Sequence, residues 1–596
     1  MPRGIPNARR DEDGLRYTTF HVPLAPNPKH TLSNYIKSES QTIWARNAQK
    51  AKNRPDDVVA PLDSRRGSHI IVIHPGSRSL RIGKASDVFP ITVPNVVARK
   101  INSPSAVPCP SFVRGIYRPR ENAVPPPEDS SDQKDESAVP VTADDPLDEK
   151  IADITSSLRD RMRFYHLRVT PNADNVASTF NEQFQPEIIA EHNDPYQLEW
   201  IKDGPDVLVG EKALRLADPQ ESSYAVRWPL RGSSFNTRDY DGSVQTILAD
   251  VEAVIEHTLR DRLGVQPRDY KDYSVLLVVP DLYDRAYLRD FANLLLVTMG
   301  FKQLCAQQES LAATYGAGLS NACVVDIGAV KTSVACVDEG LIIPDTRLNL
   351  NMGGDDITEF LYVLLARIHF PYRDIDLARS YDWNVMEDLK ARLCSLSEND
   401  VGLNLYDFVV RQPFKPAKKY GLRAYDEIIL APMVLFEPRM IDFKQRQENL
   451  YPVSRPGVSD EILEHPGDQI VCVPVHSWRE LMRRTDQTSA MIISTQHLMP
   501  AVPAVKSPTV NGDGEAPPVE IVQVDEEGKS LKTPPKNSAH GGYGIDVCFE
   551  ASKLPLDVAI FNSARAAGGD EKIRKYLQAV LVIGGGAHIP GMGHGL

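Results

Sequence analysis

The chain has 596 residues, 42% of them hydrophobic and 25% charged, an ordinary soluble composition spread over several times the length of one typical domain. Its 67 Lys and Arg against 80 Asp and Glu give a formal charge of −13, which excludes a histone-like or ribosomal-type basic protein. No apolar run reaches the roughly 18 residues that a membrane span needs, and the polar start MPRGIPNARRDEDG has no apolar signal-peptide stretch.

Residues 1–66 read as a flexible basic arm. Residues 1–60 hold ten Lys or Arg against six Asp or Glu, with a cluster at Arg46, Lys50, Lys52 and Arg54. Such a run usually just solvates the chain, and phosphate contact with DNA is the sharper alternative. Leu32 to Trp44 has the pattern of a short amphipathic segment. From residue 67 the texture changes. SHIIVI, HPGSR and SLRIGKA read as strand, turn and strand. The segment 103–150 is expected to be a disordered insert, because residues 121–149 hold ten acidic residues and one lysine with little to bury.

Residues 243–263 place Val244, Ile247, Leu248, Val251, Val254, Ile255 and Leu259 on one helical face. YSVLLVVPD then reads as a buried strand, DRAYLRDFANLLLVTMGF as a helix, and AQQESLAATYGAG as a helix ending in glycine. NACVVDIG and KTSVACVDEG form a second hairpin, and Asp382 to Leu396 a further helix. Strand and helix alternate, so the domain is α/β with a partly parallel sheet. A second insert is expected at about 500–543, rich in Pro, Gly and charge. The chain ends on VLVIGGGAHIPGMGHGL. The seven cysteines (Cys109, Cys305, Cys323, Cys336, Cys394, Cys472 and Cys548) are scattered. Three sit in apolar runs as small hydrophobes, and the spacing suits a reducing compartment with neither disulfide framework nor zinc site.

One internal repeat matters most. SHIIVIHPGSRSLRIGKAS from Ser68 aligns without gaps to SNACVVDIGAVKTSVACVD from Ser320, setting His74 on Asp326 and Gly76 on Gly328. Two such hairpins imply a duplicated domain with two lobes. Turns facing each other across a cleft suit phosphates, since glycine admits close approach and successive N–H groups make an anion nest. The first offers Gly76, Ser77 and Arg78, and the second Ile327, Gly328 and Ala329. Asp326, at a strand end, suits a magnesium ion held through its waters. Gly584, Gly585 and Gly586 form a third strand–glycine–helix element that brings backbone near a ligand.

Together and in this order, these three elements resemble the actin superfamily. The resemblance runs from Ser68 to the chain end, leaving out the inserts. NLNMGGDDITEFLYVLL, which contains Gly354, looks like the stretch after the second phosphate loop. RWPLRGSSFN looks like the lead into the first long helix. HPGSRSLRIGKA, ACVVDIGAVKTSVACV and GFKQLCAQQESLAATYGAGLS resemble the nuclear actin-related subunits of the INO-eighty class of chromatin remodellers. The resemblance implies an α/β, ribonuclease H-like duplicated fold with a nucleotide cleft at 67–596, C-terminally incomplete. It further implies bound ATP, Arg81 near phosphate, and a nuclear location without membrane attachment. The implied role is a non-catalytic scaffold supporting transcription regulation and DNA repair. Its implied partners are nuclear actin, a second actin-related protein, a helical docking segment of the remodeller ATPase, and nucleosome or linker DNA.

The sequence departs from actin at the chemistry. His74 stands where actin has an acidic residue, and imidazole does not anchor a hydrated magnesium as a carboxylate does. Ala329 replaces a second-loop acid, and Glu309 replaces the water-positioning glutamine, adding negative charge near the terminal phosphate. These changes argue against efficient hydrolysis. The family continues through several helices past the glycine turn, whereas this sequence stops at Leu596, so a fragment or incomplete lobe with weakened nucleotide affinity is expected. Two alternatives stand against the scaffold. One is a weak ATP hydrolase of the actin and sugar-kinase superfamily, which needs a carboxylate at His74. The other is a filament-forming protein, which the charged inserts disfavour by repelling neighbours.

Overall fold

Alternation decides the first hairpin. In Ile70–Pro75 (β1) Ile71 and Ile73 are fully buried, and in its antiparallel partner Ser79–Lys84 (β2) Leu80 and Ile82 face the same core. The apolar run Ser274–Val279 becomes β4, parallel to β1 on one side and to Gln303–Gln308 (β5) on the other. With Ile91–Pro94 (β3) the sheet order is β5-β4-β1-β2-β3. Helix α1, Val244–Arg262, buries Ile247, Val251, Val254, Ile255 and Leu259 against this sheet. Its start is fixed by Ser243, whose hydroxyl accepts the Thr246 amide.

The second hairpin repeats this plan. Asn321–Ile327 (β6) pairs antiparallel with Thr332–Asp338 (β7), and Val580–Gly584 (β10) runs parallel beside β6, as β4 does beside β1. The short strands Leu341–Ile342 (β8) and Leu348–Leu350 (β9) complete this sheet on β7. Glu309–Ala317 (α2), Gly354–Arg367 (α3), Ser380–Leu393 (α4) and Leu556–Ala566 (α5) belong to its lobe. Each lobe has its own core, and the duplicated two-lobed α/β architecture follows from them.

The structure, a computed structural model, describes residues 67–101, 115–117, 146–164, 170, 172–190, 194–219, 221–240, 242–397, 402–446, 487–498 and 546–595, with two dipeptide strands at Arg9–Arg10 and Arg16–Tyr17. The cluster Arg46, Lys50, Lys52 and Arg54, the Leu32–Trp44 segment and the insert at about 500–543 lie outside these residues. No described helix is long and apolar enough to cross a membrane.

Three elements differ from expectation. The segment 103–150 touches the fold at both ends of its acidic stretch. Ile116 bridges Ile441, the Gly115 amide donates to Glu359 at 2.8 Å, and a helix runs over Pro146–Phe164. Leu147, Ile151, Ile154, Leu158 and Met162 of that helix enter the second core at helical spacing, a pattern that the acid-rich composition around it hides. The run after Asp284 is not one helix: Arg285–Asn293 gives way to a π turn at Leu294–Thr298, which ends at Gly300 with φ +76°. Cys305 is exposed on the edge strand β5 instead of buried.

Strand β10 ends on the three glycines. A Cβ on buried Gly586 would overlap the Ile327 side chain, whereas at exposed Gly585, with φ −64°, it would meet nothing. Gly586→Ala is therefore expected to destabilise the protein by about 1–3 kcal/mol, and Gly585→Ala to change stability by no more than about 0.5 kcal/mol. Thermal melts of the two variants check this, and equal losses would contradict the packing.

Candidate functional site

In both hairpin turns carbonyls accept from the protein while two adjacent amides stay open. In the first, the Gly76 amide donates to the Ser79 carbonyl at 3.0 Å, and Asn95 donates to the carbonyls of Gly76 and Arg78 at 2.8 and 3.0 Å. The amides of Ser77 and Arg78 have no acceptor among the described residues. In the second, the Gly328 amide donates to Lys331 at 2.9 Å, and the carbonyls of Gly328 and Ala329 accept the Gly354 and Asp355 amides at 2.8 Å each. The amides of Ala329 and Val330 are again left over. Two pairs of open N–H groups, with cationic Arg81 on β2 and Lys331 at the second turn, make a donor set that fits a phosphate chain.

The turns are linked across the cleft. Asp355, whose amide is held by Ala329, receives the Arg78 guanidinium through Nε and Nη2 at 2.9 Å each. That guanidinium lies between the rings of Trp228, at 4.6 Å, and Trp383, at 4.9 Å, one from each lobe. Stacking on two aromatic faces while donating to a carboxylate is a use to which arginine is suited and lysine is not. The cleft is closed elsewhere too. The segment 194–201 is held to the second lobe by a bidentate Arg411–Asp194 pair at 2.8 Å and by Trp200 edge-on to Tyr381. It then bridges Leu216 in the first lobe through Ile201. Ser380 adds a hydrogen bond to the Leu214 carbonyl at 3.2 Å.

The chemistry centres on Glu309, at the start of α2 and 7% exposed. Its Oε2 meets Lys331 Nζ at 3.2 Å and its Oε1 meets His74 Nε2 at 3.5 Å. Burial works against its charge, yet Lys331 and His74 outweigh burial and hold the carboxyl down at about 2. Both oxygens are engaged, so this carboxylate is no general base. Buried Asp281 fixes the same helix by accepting the amide and hydroxyl of Ser310, and burial together with the Glu309 charge pushes its carboxyl up to about 6. Asp326 lies at the end of β6. Burial raises its carboxyl and Glu309 adds to the rise, while Lys331, His74 and Arg81 oppose it. It is the carboxylate here that suits a hydrated magnesium ion.

The structure brings Gly76, Ser77, Arg78, Arg81, Asp326, Gly328, Ala329 and Gly584 to one cleft, and corrects several roles. The Arg78 side chain is a clasp between the lobes and is tightly constrained. Ile327 is fully buried, with its side chain against Gly586. The Gly354 amide is already bonded to Gly328, so it is unavailable to a phosphate. The Ser77 hydroxyl accepts the Gly232 amide at 2.8 Å. Gly584, at φ +87°, abuts Asp326 and the Ile327 carbonyl, which leaves no room for a side chain. Gly585 is exposed and Gly586 buried. Sequence reasoning missed Lys331, Asp355, Trp228, Trp383 and Asp281. Lys331 was legible as a charge inside the second turn, whereas the two tryptophans carry no spacing signal.

Comparison with known proteins agrees with this geometry. A profile of the actin family matches residues 241–460. The probable actin-related protein 8 of Schizosaccharomyces pombe is 31% identical over 538 residues, 88% of this chain and 74% of that protein. Actin-related protein 8 of Salmo salar is 32% identical over 534 residues, 87% of this chain and 79% of that protein. Among solved structures, human Arp8 in its ATP-bound state superposes with a TM-score of 0.59 at 26% identity, covering 90% of this chain and 84% of that one.

The buried charge network sets a test. Glu309→Gln leaves Lys331 without its main counter-charge and is expected to cost about 3 kcal/mol, with Lys331→Met costing a similar amount. The double variant is expected to lose clearly less than the sum, with a coupling of about 1–3 kcal/mol. Urea unfolding of the four proteins measures this, and additive losses would refute the pairing.

Proposed function

The chain belongs to the actin-related protein 8 family, and on that premise we propose that it is a nucleotide-braced scaffold subunit of an ATP-dependent chromatin remodeller. In this reading ATP sits in the cleft as a structural brace and is not turned over. The observation that carries it is Glu309. This carboxylate, at the position of actin's water-positioning glutamine in the sequence resemblance, is held between Lys331 and His74, and among the described cleft residues Asp326 is the carboxylate that remains to hold a metal.

The open amides of Ser77, Arg78, Ala329 and Val330, with Arg81 and Lys331, would hold the phosphate chain. Asp326 would hold magnesium through its waters. When bound, the nucleotide supplies the negative charge that these donors are built to receive and so draws the two lobes together. Arg78 and the segment 194–201 hold the same two lobes together from the protein side. The ATP-bound state in which human Arp8 was solved supports this reading.

The scaffold's surfaces would dock nuclear actin, a second actin-related protein and a helical segment of the remodeller ATPase, within the nucleus. The basic cluster Arg46, Lys50, Lys52 and Arg54 would meet linker or nucleosomal DNA through phosphates, without reading sequence. Transcription regulation and DNA repair are the processes such a subunit would serve. Weak ATP hydrolysis is the second reading, since the actin fold permits it and Asp326 is retained.

The protein purified without added nucleotide is expected to release intact ATP on denaturation. Loss of the Arg78 clasp removes two cation–π contacts and an ion pair, about 2 kcal/mol together. Arg78→Ala is therefore expected to exchange labelled ATP about tenfold faster or more. An empty cleft, or exchange unchanged in Arg78→Ala, would count against the brace.

A further inference from the structure

The second sheet sets two cysteines in direct register. Cys323 in β6 and Cys336 in β7 are Cα partners across the antiparallel pair, and both thiols are free and fully buried against the second core. The backbone fixes how close they stand. The Cys336 amide donates to Thr346 Oγ1 and its carbonyl accepts the Ile343 amide, each at 2.9 Å. The Cys323 amide donates to the Ala579 carbonyl at 2.9 Å. Each cysteine turns its backbone groups away from the other, so the two form a non-hydrogen-bonded pair. That is the antiparallel position with the shorter Cα separation, about 4.5 Å. A disulfide spans Cα separations of about 4.4–6.8 Å, so a bond between them needs no change of register.

The pair is chemically asymmetric. Ser563 Oγ, on α5, lies 3.6 Å from Cys336 Sγ, and Cys323 lies on its other side. The hydrogen bond from Cys323 holds the Cys336 thiol below its ordinary value, and the same bond together with burial pushes Cys323 well above its own. A second observation, independent of the pairing, concerns access. An open cavity of about 1050 Å³ lies between the start of β6 and the helix Asp570–Leu577, with Asn321, Lys575 and Ala579 in its lining. Asn321 stands two residues from Cys323 on the same face of β6. The helix sets Tyr576, its one fully buried residue, beside both cysteines and is tied to β7 by Lys575 on Asp338 at 2.8 Å. An element with so little buried opens locally, which admits a small oxidant to the sulfurs.

We propose that Cys323 and Cys336 form a reversible disulfide site oxidised by hydrogen peroxide. The Cys336 sulfur attacks one peroxide oxygen, the O–O bond breaks, and the leaving hydroxide takes the Cys336 proton as water. The product is a sulfenic acid on Cys336. The Cys323 sulfur then attacks the Cys336 sulfur, the S–S bond forms, and the S–O bond breaks. The departing hydroxide takes the Cys323 proton as a second water. Two thiols are oxidised and one peroxide is reduced. Transient bonds of this kind suit a chain whose other cysteines are scattered and unpaired in sequence. The bond closes a loop that contains Asp326 and the whole second turn, so it braces the hairpin behind the cleft, and its formation needs no nucleotide.

The test treats the reduced full chain with hydrogen peroxide, then unfolds and alkylates it and maps the unreduced peptides by mass. Cleavage after Lys331 separates the two cysteines, so the bond is expected as one linked pair in monomeric protein, lighter by two hydrogens and released by dithiothreitol. Exposed Cys305 reports that the peroxide acted, and Cys394, buried and pushed up to about 12, is expected to stay reduced. Cys336→Ser is expected to lose the linked pair and leave Cys323 open to alkylation. The wild-type map stands whether or not that variant folds. Cys323 and Cys336 both alkylated at a dose that oxidises Cys305 would overturn the proposal, as would a bond from either one to a different cysteine.

Discussion

A buried carboxylate between a lysine and a histidine sets the character of this cleft. Glu309 sits at the start of α2, directly after β5, in the turn that the Asp281–Ser310 bonds fix. Burial alone would push it towards the neutral form. Lys331 on one oxygen and His74 on the other keep it charged. A removed partner would strand a buried charge, so the three residues form one unit. An actin-like cleft that turned over ATP would need a free group there to orient water, and this cleft uses that position for cohesion.

The same economy runs through both phosphate turns. Carbonyls of the turns accept from Asn95, Gly354 and Asp355, the Gly76 and Gly328 amides donate to the Ser79 and Lys331 carbonyls, and the amides of Ser77, Arg78, Ala329 and Val330 remain open. The turns are therefore shaped for an anion before one arrives. Arg78 then joins the lobes through Asp355 and the two tryptophans, so closing the cleft does not depend wholly on the ligand.

Much of this was legible in the sequence. The repeat at Ser68 and Ser320 located both hairpins, and the structure gives each a parallel strand on the corresponding side. Regular apolar spacing gave α1 and the strands around it. What stayed hidden depended on pairings between residues far apart in the chain. Trp228 and Trp383 meet at Arg78 only because the lobes fold over each other, and no local period marks them. The helix Pro146–Phe164 was masked by the acidic residues before it, although Leu147, Ile151, Ile154 and Leu158 carry the helical spacing. Glu309 was legible as a departure at one position, but its meaning came from Lys331, which is a partner only in three dimensions.

The most direct test of the central claim is phosphate release from the ATP-loaded protein under single-turnover conditions. The account predicts that ATP remains intact over hours, because Glu309 is held by Lys331 and His74 and Asp326 serves to hold a metal. Steady phosphate release by the wild-type protein, lost in Asp326→Ala, would contradict it and make this cleft a working hydrolase.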